Sequence, residues 1–203
     1  MTADAVVQES ATRHPSLPDW VFPPPGGFIA ENLDHIPDLP AHTELIDGSL
    51  VFVSPRASFH MRVVSFLESE IRRAAPQDLR VRREMTIILG PRQRLEPDLI
   101  VIKAGAARDD DETFYKAQDV VFAIEVTTPA SEVRDRHRKP QLYAEAAIQY
   151  FWRVEKNPDK PVVYAYELDP TTSSYALTGI HRECVKATAP FDLVIDLTEI
   201  DRL

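Results

Sequence analysis

Cysteine is almost absent from this chain: Cys184 stands alone. A lone thiol excludes an internal disulfide framework and a structural zinc site of the usual thiolate kind. Cys184 itself reads as a small packing residue. No apolar run approaches the roughly 20 residues of a membrane-spanning helix, so no membrane partner is expected. The opening residues MTADAVVQES carry no Lys or Arg and no apolar core. No signal peptide is read there, and a reduced, cytoplasmic protein is expected. Basic residues are the scarcer charge, with Lys+Arg 23 against Asp+Glu 32 and a formal charge of -9. That argues against a sequence-independent nucleic-acid coat, whose affinity rests on counterion release by Lys and Arg. It leaves room for an enzyme that holds a cation among carboxylates. The chain also lacks a Gly-rich phosphate loop, a Walker motif, an HExxH pair and a nucleophile elbow.

What is present is ordinary globular material. Hydrophobic residues make up 44% and charged residues 27%, which excludes a disordered or fibrous chain, and 203 residues suit one domain. Seven of the 17 prolines fall in the first 40 residues. Residues 1–18 therefore read as a loose arm, and 19–203 as a single domain. Trp20, Val21, Phe22 and Phe28 are expected to pin the following segment, with a short helical turn over 29–35. Thr43 to Ile46 and Ser49 to Val53 flank Asp47-Gly48, a two-residue hairpin signal. A helix over about 56–75 carries the stripe Val64, Leu67, Ile71 and Ala74, with His60 one step upstream.

Strands are predicted at 79–89, 97–102 and 119–126. Residues 120–126 are apolar on both faces, which predicts a central strand covered on both sides. A second helix is predicted over 136–147, with Asp135 as its N-cap and Pro140 near its first turn. A strand follows at 150–154. Strands at 161–168, 175–183 and 191–197 are expected to form an antiparallel C-terminal extension. The order gives an α/β fold: a mixed sheet flanked by helices.

Two carboxylates interrupt buried strands. Asp98 opens EPDLIVI (96–102), and Glu125 nearly ends VVFAIEV (120–126). Ionised carboxylates are seldom buried without a partner, and a divalent cation is one such partner. A salt bridge to an arginine is the plainer alternative. Glu44 in HTELIDG (42–48) is a third candidate, on a largely apolar face opposite Val51. Its alternative is a solvent-facing glutamate at a sheet edge. The segment EVRDRHRK (132–139) gathers four cations at a helix start, a place that suits an anionic partner. Eight arginines between Arg62 and Arg94 face only Glu68, Glu70, Asp78 and Glu84. They read equally as a nucleic-acid backbone surface or as solubilising charge. His60 is either a satisfied core residue or a positioning group beside the carboxylates.

Taken in order, ELIDG (44–48), SP before His60, EPDLIVI (96–102), AIEVTTP (123–129), DRHRKPQLYAEA (135–146) and YFWRVE (150–155) form a set. It resembles the Uma-two family of putative restriction endonucleases, within the PD-(D/E)XK nuclease superfamily, over about residues 20–200. The resemblance implies a restriction-endonuclease-like core and Mg²⁺-dependent hydrolysis of a phosphodiester in nucleic acid, with DNA the expected substrate. By resemblance Asp98 is the motif Asp, Glu125 the motif Glu and Glu44 the N-terminal acid. These, with the Val126 carbonyl, would hold Mg²⁺, and Mn²⁺ would substitute. The superfamily pattern places Lys two residues after the Glu, where this chain has Thr127. The resemblance suggests Lys139 as its replacement. His60, Thr127 and Arg138 are the expected substrate-positioning residues. A homodimer would suit a double-strand cutter. The competing expectations are a catalytically silent nuclease fold used for nucleic-acid binding or assembly, and a phosphoesterase of small substrates.

Overall fold

The computed structural model describes residues 17–203. Nearly all of the arm expected over 1–18 lies outside the described residues. The hairpin forms as the turn chemistry dictates. Strand β1 (Thr43–Ile46) pairs antiparallel with β2 (Ser49–Phe52), and Glu44 stands opposite Val51. Asp47 and Gly48 both take positive φ, 53° and 78°. The Arg92 guanidinium lies against Gly48, so a side chain there would meet both strain and a neighbour.

Helix α1 (Ser58–Ala74) buries His60, Val63, Val64, Leu67 and Ile71. Val63 joins the expected stripe, while Ala74 is exposed because the last turn runs past the sheet. The strand predicted over 79–89 is two strands. Glu84 takes φ 49° and kinks the chain between β3 (Leu79–Arg83) and β4 (Thr86–Gly90), which enter different sheets. Strand β5 (Gln93–Leu95) returns antiparallel to β4. Strands β6 (Leu99–Lys103), β7 (Phe114–Lys116) and β8 (Val120–Val126) follow.

The next helix starts earlier than predicted. Its backbone is already helical at Glu132, passes through a π-helical turn at Arg134–Arg138 and continues as α2 (Lys139–Glu145). Asp135 is therefore inside the helix and buried, and is not its N-cap. Pro140 lies about two turns in rather than in the first turn. Its ring would clash with the carbonyl four residues back in a regular helix. The widened turn sits directly before it, with the Lys139 N–H reaching back five residues to the Arg134 carbonyl.

Strands β9 (Tyr150–Lys156), β10 (Pro161–Asp169) and β11 (Ser174–His181) complete a six-stranded sheet in the order β11-β10-β9-β8-β6-β3. Only β8 and β9 run parallel in it, as a crossover through a helix requires. A second sheet has the order β2-β1-β5-β4-β7. The expected three-stranded extension does not form as one unit. Its first two strands join the main sheet, and the third, β13 (Leu193–Asp196), pairs with β12 (Cys184–Ala187).

Strand β8 is central and covered on both faces. Phe122 and Ile124 pack with α1 residues Val64, Leu67 and Ile71, and with Ile195 of β13. Ala123 packs on the other side with Leu142, Tyr143 and Phe151. Phe28, Ala30 and Leu33 of the N-terminal segment cover Leu45. Trp20 stacks edge-on against Phe52. Val21 and Phe22 do not pin the segment: both are exposed.

Candidate active site

The start of β6 and the end of β8 are antiparallel neighbours, with Leu99 opposite Ile124. One residue outward, the same ladder brings Asp98 beside Glu125. Each carboxylate has its own partners. Asp98 Oδ1 lies 2.8 Å from His60 Nε2 and 3.1 Å from an Arg56 nitrogen, and its Oδ2 accepts the Val126 N–H at 2.6 Å. Burial pushes the Asp98 carboxyl up, but His60, Arg56 and the Val126 N–H together hold it below its ordinary value. A strand residue presents its N–H and C=O along the same edge, so the Val126 carbonyl shares the Asp98 side of β8.

Glu125 Oε1 accepts Lys139 Nζ at 2.9 Å and the Tyr143 hydroxyl at 2.5 Å. Burial pushes Glu125 well above the usual carboxylate range. The Lys139 charge opposes that shift, and Asp135, Asp98 and Glu44 add to it. Lys139 is itself buried, its Nζ 2.9 Å from Glu44 Oε1 and 3.6 Å from Asp135 Oδ1. Burial alone would neutralise it. Glu125, Glu44 and Asp135 outweigh that and keep the ammonium charged. Glu44 is 2% exposed and also accepts the Glu96 N–H, so the solvent-facing alternative is wrong for it. It points inward because β1 is covered by the N-terminal segment on one face and by α2, which carries Lys139, on the other.

Sequence reasoning missed the parts of Asp135, Tyr143 and Arg56. Asp135, read as a cap, accepts Ser131 Oγ on one oxygen and leaves Oδ1 buried without a hydrogen bond. Burial raises its pKa against the pull of Lys139 and Ser131. Tyr143 completes a spacing of four, Asp135-Lys139-Tyr143, which was open to view in the sequence as one helix face. Arg56 and Arg134 line the cleft over the cluster, and Arg134 has no carboxylate partner among the described residues. No sequence signal marks Arg56, whereas Arg134 is one of the four cations gathered at 132–139.

Thr127 follows β8 with its hydroxyl buried and unbonded, and its side chain reaches no member of the carboxylate cluster by a hydrogen bond. Arg138 lies at the rim, paired with both Asp47 oxygens on the hairpin turn. This pairing draws the Asp47 carboxyl down to about 2. The arginines of 62–94 are largely engaged within the fold. Arg72, Arg73 and Arg83 pair with glutamates, and Arg94 is buried in a two-pronged pair with Asp34.

Three buried carboxylates, Glu44, Glu125 and Asp135, thus surround one buried ammonium, and a fourth, Asp98, lies beside Glu125 with His60 and Arg56 as its own partners. Among the described residues no three His, Cys, Asp or Glu side chains already converge on a common cation position. Lys139 stands between Glu44, Glu125 and Asp135. The donor set still suits a hard divalent cation. It is all oxygen, it carries surplus negative charge, and one buried oxygen of Asp135 accepts no hydrogen bond.

The family model described as "Uma2: Putative restriction endonuclease" matches residues 30–197. The chain belongs to this family. Among solved structures, the fold is similar to that of a protein described as a putative nuclease belonging to DUF820 from Anabaena variabilis. The TM-score is 0.66 at 16% identity, covering 85% of this chain and 97% of that one. A search of curated proteins returns no match. The Uma2 assignment and the restriction-endonuclease-like order of elements agree with the mixed sheet described above. Among the described residues no helix is long and apolar enough to cross a membrane.

Proposed function

We propose that this Uma2 protein is a metal-dependent nuclease that hydrolyses phosphodiester bonds in DNA. The observation that carries the reading is Lys139 Nζ, 2.9 Å from both Glu125 and Glu44, at the end of the strands that bear Asp98 and Glu125. The cation missing at Thr127 is thereby present from a different element. Asp98, Glu125, the Val126 carbonyl and Glu44 would hold Mg²⁺, with Mn²⁺ as a substitute. When bound, the ion supplies neutralisation of phosphate charge and a more acidic water. The protein's own groups do the rest. His60 and the Val126 N–H fix both oxygens of Asp98, so its orientation is set before substrate arrives. Lys139, held protonated, offers a compact positive charge where charge develops on a phosphate. Tyr143 holds its partner Glu125 in place, and Glu44 holds the ammonium itself.

The test is incubation with supercoiled, linear and single-stranded DNA in Mg²⁺ and Mn²⁺, for wild type beside Asp98→Ala, Glu125→Ala and Lys139→Ala. Each variant is expected to lose at least about 10²-fold in rate. Calorimetric Mg²⁺ binding should weaken in Asp98→Ala and Glu125→Ala. Equal cleavage by all four proteins refutes the assignment. DNA binding without cleavage in any divalent metal would favour a silent nuclease fold instead.

A further inference from the structure

We propose that the groove beside the carboxylate cluster takes one unpaired nucleotide of the substrate strand, with a phosphate seated at the start of α1. This rests on the nuclease reading and specifies the substrate of that site. The groove has a volume of about 390 Å³, within the range of small-molecule sites (about 300–1,000 Å³). Thr128 lines both this groove and the carboxylate cleft, so the two are adjacent. Phe59 and Pro129 give it apolar walls against which the face of a base can rest. Set into the same walls are two buried polar atoms without hydrogen-bond partners, His60 Nδ1 and Thr127 Oγ1. His60 is only 1% exposed, and its other nitrogen is committed to Asp98. A purely apolar guest would leave both atoms unsatisfied. A base, with donors and acceptors around its edge, would not.

The uncapped helix start at the groove's mouth fits a phosphate. Helix α1 opens at Ala57 with no side-chain cap and no acidic residue in its first turn. Its first helical bond is from the Met61 N–H to the Ala57 carbonyl. The N–H groups of Ser58, Phe59 and His60 are therefore free to meet an anion. Lys156, paired at the surface with Asp159, stands over the Phe59 ring at 5.8 Å. Arg136 borders the groove in ion pairs with Glu132 and Glu155, which line it too, so the backbone N–H groups are the main donors for the anion. Thr127 in place of the superfamily lysine is part of the same arrangement, because it leaves the groove open. A base held in a duplex is stacked and paired, and entering the groove would cost it both. The inferred substrate is thus single-stranded, frayed or locally opened DNA.

Labelled 12-mer single strands and blunt duplexes of the same sequence, titrated by fluorescence anisotropy in EDTA, test this. The single strand should bind on the order of 10-fold more tightly, and Phe59→Ala should weaken it by a similar factor. Ser58→Asp is the sharper variant. An acidic residue in the first turn stabilises the helix, so Tm should hold or rise while strand binding falls about 10-fold. Thymidine 5′-monophosphate should compete, and thymidine much less so. Equal binding of duplex and single strand, or unchanged binding by Ser58→Asp at undiminished Tm, overturns the proposal. The nuclease reading fails separately: wild type that binds single strands this way but cleaves nothing in Mg²⁺ or Mn²⁺ sinks that reading and leaves the groove intact.

Discussion

Replacing Lys139 by methionine removes one charge and little volume, so its effect isolates the electrostatics of the cluster. Lys139 is 4% exposed and lies within 2.9 Å of Glu44 and Glu125 and 3.6 Å of Asp135. At an effective dielectric of about 20, one such contact near 4 Å is worth about 4 kcal/mol. Removing one partner of a buried pair typically costs about 3–5 kcal/mol. The remaining carboxylates soften the loss by taking up protons, and Glu125 and Asp135 are already raised in the wild type. A loss of about 3–5 kcal/mol at neutral pH is therefore expected, a large share of the about 5–15 kcal/mol available to a domain.

The loss carries a pH signature. A carboxylate raised in the fold stays protonated after its unfolded counterpart has ionised, so it withdraws stability as pH rises through the folded value. Methionine at 139 raises Glu125 and Asp135 further and widens that window upward. Urea unfolding from pH 5 to 8 should show the variant converging on wild type at the acid end and diverging at the alkaline end. Added Mg²⁺ should restore stability, since a divalent ion can take the place of the ammonium, while cleavage stays lost. A pH-independent difference, or a variant as stable as wild type at pH 8, would refute the account of the cluster.

Asp98 is held below its ordinary pKa, so its stabilisation is present above the unfolded value and lost as pH falls through the folded one. His60→Leu removes the 2.8 Å hydrogen bond and lets burial dominate, so acid unfolding followed by circular dichroism should begin at higher pH than in wild type. Arg94 ties Asp34 and the Ala30 carbonyl to β5 from a buried position. Arg94→Ala should cost about 2–3 kcal/mol in urea unfolding and should loosen the 30–35 turn to amide exchange before the main sheet.

The parts of the fold that were legible in sequence are those with local rules. Asp47-Gly48 specifies its own turn, and the two-sided run at 120–126 specifies a central strand. Asp98 and Glu125 stood out because a charge inside such a run demands a partner. Strands of three or four residues, such as Gln93–Leu95, Phe114–Lys116 and Cys184–Ala187, are too short to show a period. The kink at Glu84 depends on two sheets competing for one chain, which no local window contains. Asp135 was misread because an acid before a helical pattern resembles a cap, and the π-helical turn that buries it is a tertiary accommodation of Pro140.

The proposed role of Lys139 in place of a lysine at position 127 is where chemistry and binding meet. A lysine two residues after Glu125 would project from position 127, and Thr127 lines the groove beside Phe59 and His60. Its long stem would occupy the space assigned to a nucleotide. Lys139 reaches the same carboxylate from α2, on the side of Leu142 and Tyr143, and leaves the groove clear. The double variant Thr127→Lys/Lys139→Met separates the two requirements. If position 127 can still serve the chemistry, cleavage of a small phosphodiester such as a dinucleotide should recover relative to Lys139→Met. Single-strand binding should fall relative to Lys139→Met, because the groove is filled. Recovered cleavage with single-strand binding undiminished would show that the groove and the lysine's position are unrelated, and that a motif cation on the helix is neutral.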